Sequence, residues 1–319
     1  LNKIYKKMKI LVTGCCGFIG SHLSEKLLSE GHEVFGIDNM NDYYDVKAKY
    51  KNLDALEKYD KFTFKKEDIK DTRVIDEWKP DMVCHLASMA GVRYSIKNPK
   101  LYFDVNVNGF INILEQCVEN KVKKIVYASS SSVYGLNKKL PFSEEDKIES
   151  SNSPYACSKL SMEQIAKTYF QLYRIPSIGL RFFTVYGPRG RPDMAIDKFL
   201  RAIHNQEEIT KYGNGETSRD YTYISDIIDG IYSSILRKEE DYQVYNLGNS
   251  NNITLNDFII ECENVVGKKA KIKTLGDQHG DVPHTYADIS KAKKDLNFDP
   301  KIKISKGLQL TFCHIIQEK

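Results

Sequence analysis

The chain has 319 residues, of which 41% are hydrophobic and 28% are charged. This length indicates one large domain or two, and the composition excludes disordered, collagen-like and low-complexity proteins. The formal net charge is +4, from 47 basic and 43 acidic residues. No basic stripe stands out, so we expect no nucleic acid among the partners.

The seven cysteines are an odd number and show no CxxC spacing. They therefore predict neither a disulfide framework nor a metal site, and a reducing compartment, the cytoplasm, is expected. The basic first residues lead into an apolar run of only about five residues, which is too short for a signal peptide or a membrane span. No membrane partner is expected.

The first predicted element is a strand over residues 9–13, a continuous apolar run typical of a buried parallel strand. A helix is predicted over 18–28, from apolar residues at helical spacing. Gly14, Gly17 and Gly20 lie in the loop between them. Glycines at this place let the backbone approach a pyrophosphate, whose charge the helix N-terminus then stabilises. The loop predicts a dinucleotide site.

The next strand, predicted over 33–37, ends in Asp38. A carboxylate at this distance after a glycine loop binds both hydroxyls of an adenosine ribose and repels a 2′-phosphate, so NAD is favoured over NADP. Further strands are predicted at 62–66, 82–86, 123–128 and 177–182, alternating with helical stretches. This alternation predicts an α/β fold with a doubly wound parallel (Rossmann) sheet.

Polar and small side chains follow the ends of these strands, where ligands of such sheets bind. Asp68 follows the third strand and can reach an adenine amine, while Leu86 and Ala87 follow the fourth and can line the cofactor cleft.

The fifth strand leads into a run of four serines, Ser129 to Ser132, and Tyr155 and Lys159 lie further along the chain. Residues four apart share one face of a helix. A phenol has a pKa of about 10 and is a poor base at neutral pH, but an adjacent ammonium favours the phenolate. Tyr155 is therefore a candidate base for a sugar hydroxyl, with Lys159 supporting it and Ser130 hydrogen-bonded to the same hydroxyl.

Together these motifs resemble the extended short-chain dehydrogenase/reductases, and among them the nucleotide-sugar epimerases and dehydratases. The resemblance runs from residue 9 to about residue 310 and is strongest to the UDP-glucuronate 4-epimerase branch. The segments that carry it are IDNMNDYYD (37–45), AGVRYS (90–95), YASSSSVYG (127–135), LRFFTVYGPRGRPDMA (180–195) and RDYTYISD (219–226).

The resemblance implies NAD as the cofactor, a UDP-sugar as the substrate, and a set of residues for each. The residues implied for NAD, with those predicted from the strand ends, are Gly14, Gly17, Phe18, Ile19, Gly20, Asp38, Asn39, Asp68, Ile69, Leu86, Ala87, Asn106, Ser129, Tyr155, Lys159 and Phe182. Those for the UDP-sugar are Met89, Arg93, Ser131, Ser132, Cys157, Thr184, Arg191 and Arg219, with Arg219 and the GDV segment at 280–282 near the diphosphate.

Members of this family begin by oxidising C4 of the sugar and differ in the next step. A 4,6-dehydratase needs further acid and base groups, which the familiar dehydratases carry as an Asp-Glu or Asp-Lys pair at the positions of Ser131 and Ser132. Serines instead favour binding of a sugar substituent such as the glucuronate carboxylate, so the favoured reaction is 4-epimerisation of UDP-glucuronate.

Three residues depart from that branch: Met89 stands in place of Gln, Cys157 in place of a small residue, and Arg189 in place of Trp. Cys157 beside the Lys159 ammonium could form a thiolate and act as an additional base. The alternative reaction is therefore 4,6-dehydration of a UDP-hexose such as UDP-N-acetylglucosamine, with or without 5-epimerisation.

A non-catalytic NAD-sensing protein is a minor alternative, because such a protein could lose Tyr155, Lys159 or Ser130, and all three are present. The sequence also predicts how the chain is divided. We expect an NAD-binding domain over residues 8–182 and an interleaved UDP-sugar region over 183–319. Helices are predicted at 193–204 and 224–238, and a strand at 243–247 is expected to rejoin the main sheet. A homodimer is implied through helices at 99–119 and 155–173, with an apolar seam of Phe110, Leu114, Tyr169 and Leu172.

Overall fold

The computed structural model of the protein describes residues 7–276 and 282–317. In this part of the chain the strands are β1 (Lys9–Thr13), β2 (Glu33–Asp38), β3 (Phe62–Lys66), β4 (Met82–His85), β5 (Lys124–Ser130), β6 (Ser177–Phe182), β7 (Thr184–Tyr186), β8 (Glu208–Tyr212), β9 (Ser218–Tyr223), β10 (Tyr242–Leu247), β11 (Asn252–Thr254) and β12 (Lys271–Leu275).

Helices alternate with the first strands. They are α1 (Phe18–Ser29), α2 (Val46–Leu56), α3 (Val74–Trp78), α4 (Val92–Lys97), α5 (Pro99–Phe103), α6 (Gly109–Glu119), α7 (Pro154–Tyr173), α8 (Ala195–Asn205), α9 (Ile224–Leu236), α10 (Leu255–Val266), α11 (Ser290–Leu296) and α12 (Ile304–Gln317). Among them no helix of the described residues is both long and apolar enough to cross a membrane.

A seven-stranded parallel sheet is the main feature of the fold, in the order β10-β6-β5-β4-β1-β2-β3. The predicted doubly wound α/β fold is confirmed. The chain extends the sheet from β1 toward β3 in one direction and from β4 toward β10 in the other, so the order reverses between β1 and β4. In such sheets the crevice beyond the carboxyl ends of these strands is where a ligand binds.

The strands form where apolar runs are buried on both faces. Every residue of β5 is buried, including Ser129 and Ser130, so this strand continues two residues beyond the predicted end. The serine run therefore begins inside the sheet, and only Ser131 and Ser132 leave it, in a 3₁₀ turn over Ser131–Tyr134.

The chain forms two compact units. The first comprises residues up to 129, 154–180 and 231–244, and the second residues 130–153, 181–230 and 245 onward. In the first, β1, β2, β4 and β5 pack with α3, α6 and α7 around one apolar cluster that includes Leu11, Val83, Phe110, Tyr127 and Met162.

The second unit contains two small sheets, one with the order β11-β9-β7 and the other pairing β12 with β8. Aromatic rings fill part of its core. Tyr221 stacks on Phe258 with ring centroids 4.6 Å apart, and Tyr134 stacks on Phe142 at 4.7 Å.

The helix predicted over 99–119 is interrupted by a π-helical segment, Asp104–Asn108, between α5 and α6. The predicted apolar seam is wrong for Phe110 and Leu114. Both lie inside the core of the first unit, packed with Tyr127, and are not available to a second subunit. Leu172, near the end of α7, is 66% exposed.

Candidate active site

The glycine loop after β1 is packed so closely that larger residues do not fit. A Cβ atom on Gly20 would overlap the carbonyl oxygen of Gly14, and one on Gly14 would lie 2.9 Å from Cα of Ala87. Gly14 also has a φ of +71°, which favours glycine. The loop leads directly into Phe18, Ile19 and the first turn of α1. A tight glycine loop that leads into a helix N-terminus is what a pyrophosphate site requires, and binding of the NAD pyrophosphate here remains a prediction.

Asp38 ends β2 and is only 7% exposed. Its Oδ1 accepts hydrogen bonds from the amide of Met40 at 2.9 Å and from Nζ of Lys49, in α2, at 3.3 Å. The sequence patterns did not indicate Lys49, which is buried beside this carboxylate. The ion pair fixes Asp38 at the strand end where the ribose is predicted to bind.

Asn39 and Asp68 are brought together next to Asp38. The Asn39 amide donates to Oδ2 of Asp68 at 3.0 Å. Ile69 is buried under Gly109, where an added Cβ atom would lie 2.7 Å from its Cδ1. Asp68 and Asn39 thus add a second pair of hydrogen-bonded polar side chains beside Asp38, whereas Ile69 is a buried apolar residue.

Thr13 holds the end of β4 against the glycine loop. Its Oγ1 accepts hydrogen bonds from the amides of Leu86 at 3.2 Å and Ala87 at 3.1 Å, and it lies 3.1 Å from Nδ1 of His85. Because Oγ1 already accepts two N–H groups, its own proton points to Nδ1. Burial, together with the nearby Lys159 charge, lowers the pKa of His85 to about 3. His85 is therefore neutral, and the sequence patterns did not single it out.

Asn106 lies in the π-helical segment and is fully buried. Its Oδ1 accepts from the Met89 amide at 2.8 Å and from the Ser88 hydroxyl at 3.1 Å, while Nδ2 donates to the Met89 carbonyl and the Ser158 hydroxyl at 3.0 Å each. These bonds use all four hydrogen-bonding positions of the amide. Asn106 thus ties the segment after β4 to α7, and its predicted contact with a cofactor remains a prediction.

Tyr155 and Lys159 lie one turn apart in α7. The Tyr155 ring meets Tyr102 edge-on, with centroids 6.0 Å apart. Lys159 is only 1% exposed, and its Nζ donates to the Ala128 carbonyl of β5 at 2.7 Å. Burial lowers the pKa of Lys159 to about 7. A positive charge that is excluded from water is poorly screened, so it acts strongly on a neighbouring phenol.

The predicted serines lie on both sides of the unit boundary. Ser129, in the first unit, donates from Oγ to Oε1 of the buried Glu163 at 2.5 Å. In the second unit, Ser130 Oγ accepts from the Ser132 amide at 3.1 Å and caps the 3₁₀ turn. Ser131 and Ser132 are half-buried, and their predicted contact with the sugar remains a prediction.

The second unit also holds Phe182, Thr184, Arg191 and Arg219. Phe182 is buried at the end of β6, and Thr184 begins β7 half-buried. Arg191 forms a two-pronged pair with Asp193 at 2.9 and 2.6 Å. Arg219 donates to the carbonyls of Ser218 at 2.9 Å and Pro283 at 3.2 Å. Gly280 and Asp281 of the GDV segment lie outside the described residues.

Three predicted substrate residues of the first unit lie in different surroundings. Met89 is buried, whereas Arg93 of α4 and Cys157 of α7 are exposed. Residues two apart on a helix point about 200° apart, so the exposed Cys157 thiol does not share a face with Lys159. The proposed activation of Cys157 by that ammonium therefore has no structural basis.

Comparison with known proteins agrees with this arrangement. Residues 11–311 match the family described as GDP-mannose 4,6 dehydratase. The chain is 44% identical to "Protein CapI" of Staphylococcus aureus, over 94% of this chain and 96% of that protein. It is also 44% identical to the UDP-glucuronate 4-epimerase of Thermodesulfobacterium geofontis, over 94% of each chain.

A solved structure of UDP-glucuronic acid 4-epimerase from Bacillus cereus, in complex with UDP-glucuronic acid and NAD, is similar with a TM-score of 0.94 and 37% identity. The similarity covers 98% of this chain and all of that one. With the family match spanning nearly the whole sequence, the chain belongs to the GDP-mannose 4,6 dehydratase family of short-chain dehydrogenase/reductases.

Proposed function

We propose that this protein is an NAD-dependent enzyme that interconverts UDP-glucuronate and its C4 epimer, UDP-galacturonate. The observation that carries the proposal is the buried Lys159 ammonium one turn after Tyr155 in α7. A phenol supported in this way can exchange a proton with a sugar hydroxyl near neutral pH. The identity of the sugar rests on the relatives, two of which are named for UDP-glucuronate or UDP-glucuronic acid.

The residues of the first unit fit NAD. Gly14 and Gly20 have no room for a Cβ atom in the tight loop after β1, and Asp38 would provide a fixed carboxylate for the adenosine ribose. Lys159 would also hold the nicotinamide ribose. Bound NAD would supply the oxidation and the reduction at C4 by hydride transfer.

Tyr155 acts on the oxygen of C4. Its phenolate removes the proton of the C4 hydroxyl as the ketone forms, and it returns the proton when the alcohol is restored on the other face. Lys159 stabilises the phenolate throughout. Ser130 is proposed to donate a hydrogen bond to the same oxygen and keep it in line with Tyr155.

The serines after β5 support epimerisation rather than dehydration. Ser131 and Ser132 carry no charge and cannot serve as the acid and base that removal of the C6 hydroxyl requires. We propose that they bind the glucuronate carboxylate together with Thr184 and Arg191. For this, the Arg191 guanidinium would release Asp193 and pair with the carboxylate of the ligand. Arg219 would bind the diphosphate, since guanidinium groups pair well with phosphate oxygens.

The test is incubation of the NAD-loaded enzyme with UDP-glucuronate, UDP-glucose and UDP-N-acetylglucosamine separately, followed by NMR and mass spectrometry. We expect UDP-galacturonate from UDP-glucuronate with no change in mass, and much slower turnover of the other two. Loss of one water from any of the three would establish the dehydratase alternative. Absence of turnover combined with tight NAD binding would support an NAD-sensing protein.

We further propose that the protein forms a homodimer and works in the cytoplasm. Exposed apolar side chains of α5 and α7, Phe103, Leu172 and Tyr173, support the dimer. All seven cysteines are free thiols, which suits a reducing compartment. A sedimentation mass equal to one chain would contradict the first proposal, and a protein recovered outside the cytoplasm would contradict the second.

A further inference from the structure

A buried carboxylate lies one helical turn beyond Lys159. Glu163 is only 2% exposed, and its Oε1 accepts the hydrogen bond from the equally buried Ser129 hydroxyl at 2.5 Å. The Glu163 backbone carbonyl also accepts a hydrogen bond from the Tyr242 hydroxyl at 3.0 Å. Ser129 thus fixes the carboxylate against the end of β5, and Tyr242 holds the backbone of the same residue.

Tyr155, Lys159 and Glu163 recur at intervals of four along α7, which places them on one face of the helix. That face is turned to β5, since Lys159 contacts Ala128 and Glu163 contacts the next residue, Ser129. A phenol, an ammonium and a carboxylate thus follow one another along this face of α7, and the last two lie against the end of β5.

The charge of Lys159 depends on its ionisable neighbours. Burial lowers its pKa, whereas the negative charge of Glu163 raises it. From β4, His85 faces the ammonium as a neutral ring, because its own pKa is lowered to about 3. From β5 come the neutral Ala128 carbonyl and Ser129 hydroxyl, and from α7 itself the Tyr155 phenol. Among these ionisable neighbours, Glu163 is therefore the one whose charge favours the charged form of Lys159.

We infer that Glu163 is a positioning residue that keeps the buried Lys159 charged and thereby sets the protonation of Tyr155. Ser129 holds the Glu163 carboxylate in place for this task. The inference rests on the proposed function, because only there is Tyr155 the base. A merely structural Glu163 would stabilise the fold without affecting the titration of Tyr155.

The decisive variant is Glu163→Gln, which keeps an oxygen for the Ser129 hydroxyl but removes the charge. In the NAD-loaded enzyme we expect kcat at pH 8 to fall about tenfold and the alkaline limb of its pH profile to move down by about one pH unit, the size of effect that a close opposite charge exerts. KM should change less than kcat. Glu115→Gln, an exposed carboxylate of α6, is the matched control and should leave the profile unchanged.

A second readout does not depend on turnover. The Tyr155 phenolate is followed by ultraviolet difference titration, subtracting for each protein the same protein carrying Tyr155→Phe. We expect the phenolate of Glu163→Gln to form at higher pH than that of the wild type. If Glu163→Gln does not fold, Ser129→Ala takes its place and should shift both readouts in the same direction by a smaller amount.

The outcomes separate the two proposals. A wild type that turns over UDP-glucuronate, with a Glu163→Gln variant whose pH profile and phenolate titration are unchanged, would overturn the role of Glu163 alone. A wild type inactive toward UDP-glucuronate would overturn the proposed function, while the phenolate titration would still test whether Glu163 acts on Tyr155.

Discussion

At the scale of single residues, the chemistry of this protein depends on charges held where water is scarce. Lys159 is buried against a strand carbonyl, and Asp38 is buried beside Lys49. Water screens such charges poorly, so each acts strongly on its neighbours and on a ligand. The residues that contact the sugar in the proposal, such as Ser131 and Arg191, remain partly open to solvent.

The first residue-scale prediction concerns the base. Tyr155→Phe removes the phenolic oxygen and keeps the ring that packs on Tyr102, so kcat should fall about 100-fold or more, the usual range for loss of a general base, with little change in KM. Conversion of UDP-glucuronate followed by NMR measures this. Tyr169→Phe on the same helix is the control, and a Tyr155→Phe enzyme with most of its activity would show that another group is the base.

The second residue-scale prediction concerns the affinity for NAD. Asp38→Ala should weaken NAD binding about tenfold or more, because a hydrogen bond to a charged group contributes roughly 1.5–3 kcal/mol. Calorimetric titration of NAD into protein stripped of nucleotide measures the affinity. Asp54→Ala, an exposed acid of α2, should bind NAD as the wild type does. If all three proteins bound NAD with equal affinity, Asp38 would not be part of the ribose site.

The sequence was sufficient for some of these residues and not for others. Tyr155 and Lys159 were predictable because helical spacing relates them locally. Glu163 and His85 were not, since their partners Ser129 and Thr13 are 34 and 72 residues away. Only the folded sheet brings these pairs together.

At the scale of elements, β1, the glycine loop and α1 form the segment that is proposed to bind the cofactor. Apolar runs and glycines at fixed offsets predicted these elements to within one or two residues. The π-helical segment that carries Asn106 was not predictable, since the sequence pattern of 99–119 is that of an ordinary helix. Five strands of the second unit, β7, β8, β9, β11 and β12, were also missed. Every residue of β12 is exposed, so no buried face gives it a pattern.

The loop gives an element-scale prediction. Gly20→Ala should abolish measurable NAD binding and lower the melting temperature, because the added methyl group overlaps the Gly14 carbonyl and forces the loop away from α1. Thermal unfolding with and without NAD measures both effects. Gly276→Ala, where a Cβ atom would meet nothing within 4 Å, is the control. A Gly20→Ala protein stabilised by NAD as much as the wild type would contradict the pyrophosphate site predicted at this loop.

At the scale of the whole molecule, the chain passes between its two units several times, and no linker composition marks these passages in the sequence. Within the second unit, Asp220 joins three distant segments. Its carboxylate accepts hydrogen bonds from the amides of Asn249 at 2.7 Å, Ser250 at 3.0 Å and Ala287 at 3.1 Å. Burial raises the pKa of Asp220 to about 6.

A stability prediction follows from this raised pKa. Between the unfolded value of about 4 and about 6, the folded state binds the proton more tightly than the unfolded state, so the contribution of Asp220 to stability is largest at low pH and falls as pH rises through this window. Asp220→Asn cannot titrate at this position, so the stability of the wild type relative to Asp220→Asn should fall by roughly 2–3 kcal/mol as pH rises through this window.

Urea unfolding of both proteins at several pH values between about 4 and 7 measures the difference. The gap in free energy of unfolding, taken as wild type minus Asp220→Asn, should decrease as pH rises. The exposed Asp299→Asn should show no such trend. A gap that widens with pH would mean that Asp220 is stabilised as the carboxylate.

The most direct test of the central claim follows the hydrogen at C4. The enzyme is incubated in D₂O with UDP-glucuronate, and separately in water with UDP-glucuronate deuterated at C4. We predict UDP-galacturonate that takes up no solvent deuterium at carbon in the first case and keeps its deuterium at C4 in the second. Solvent deuterium at C5, or a product lighter by one water, would contradict a reaction that consists only of oxidation and reduction at C4.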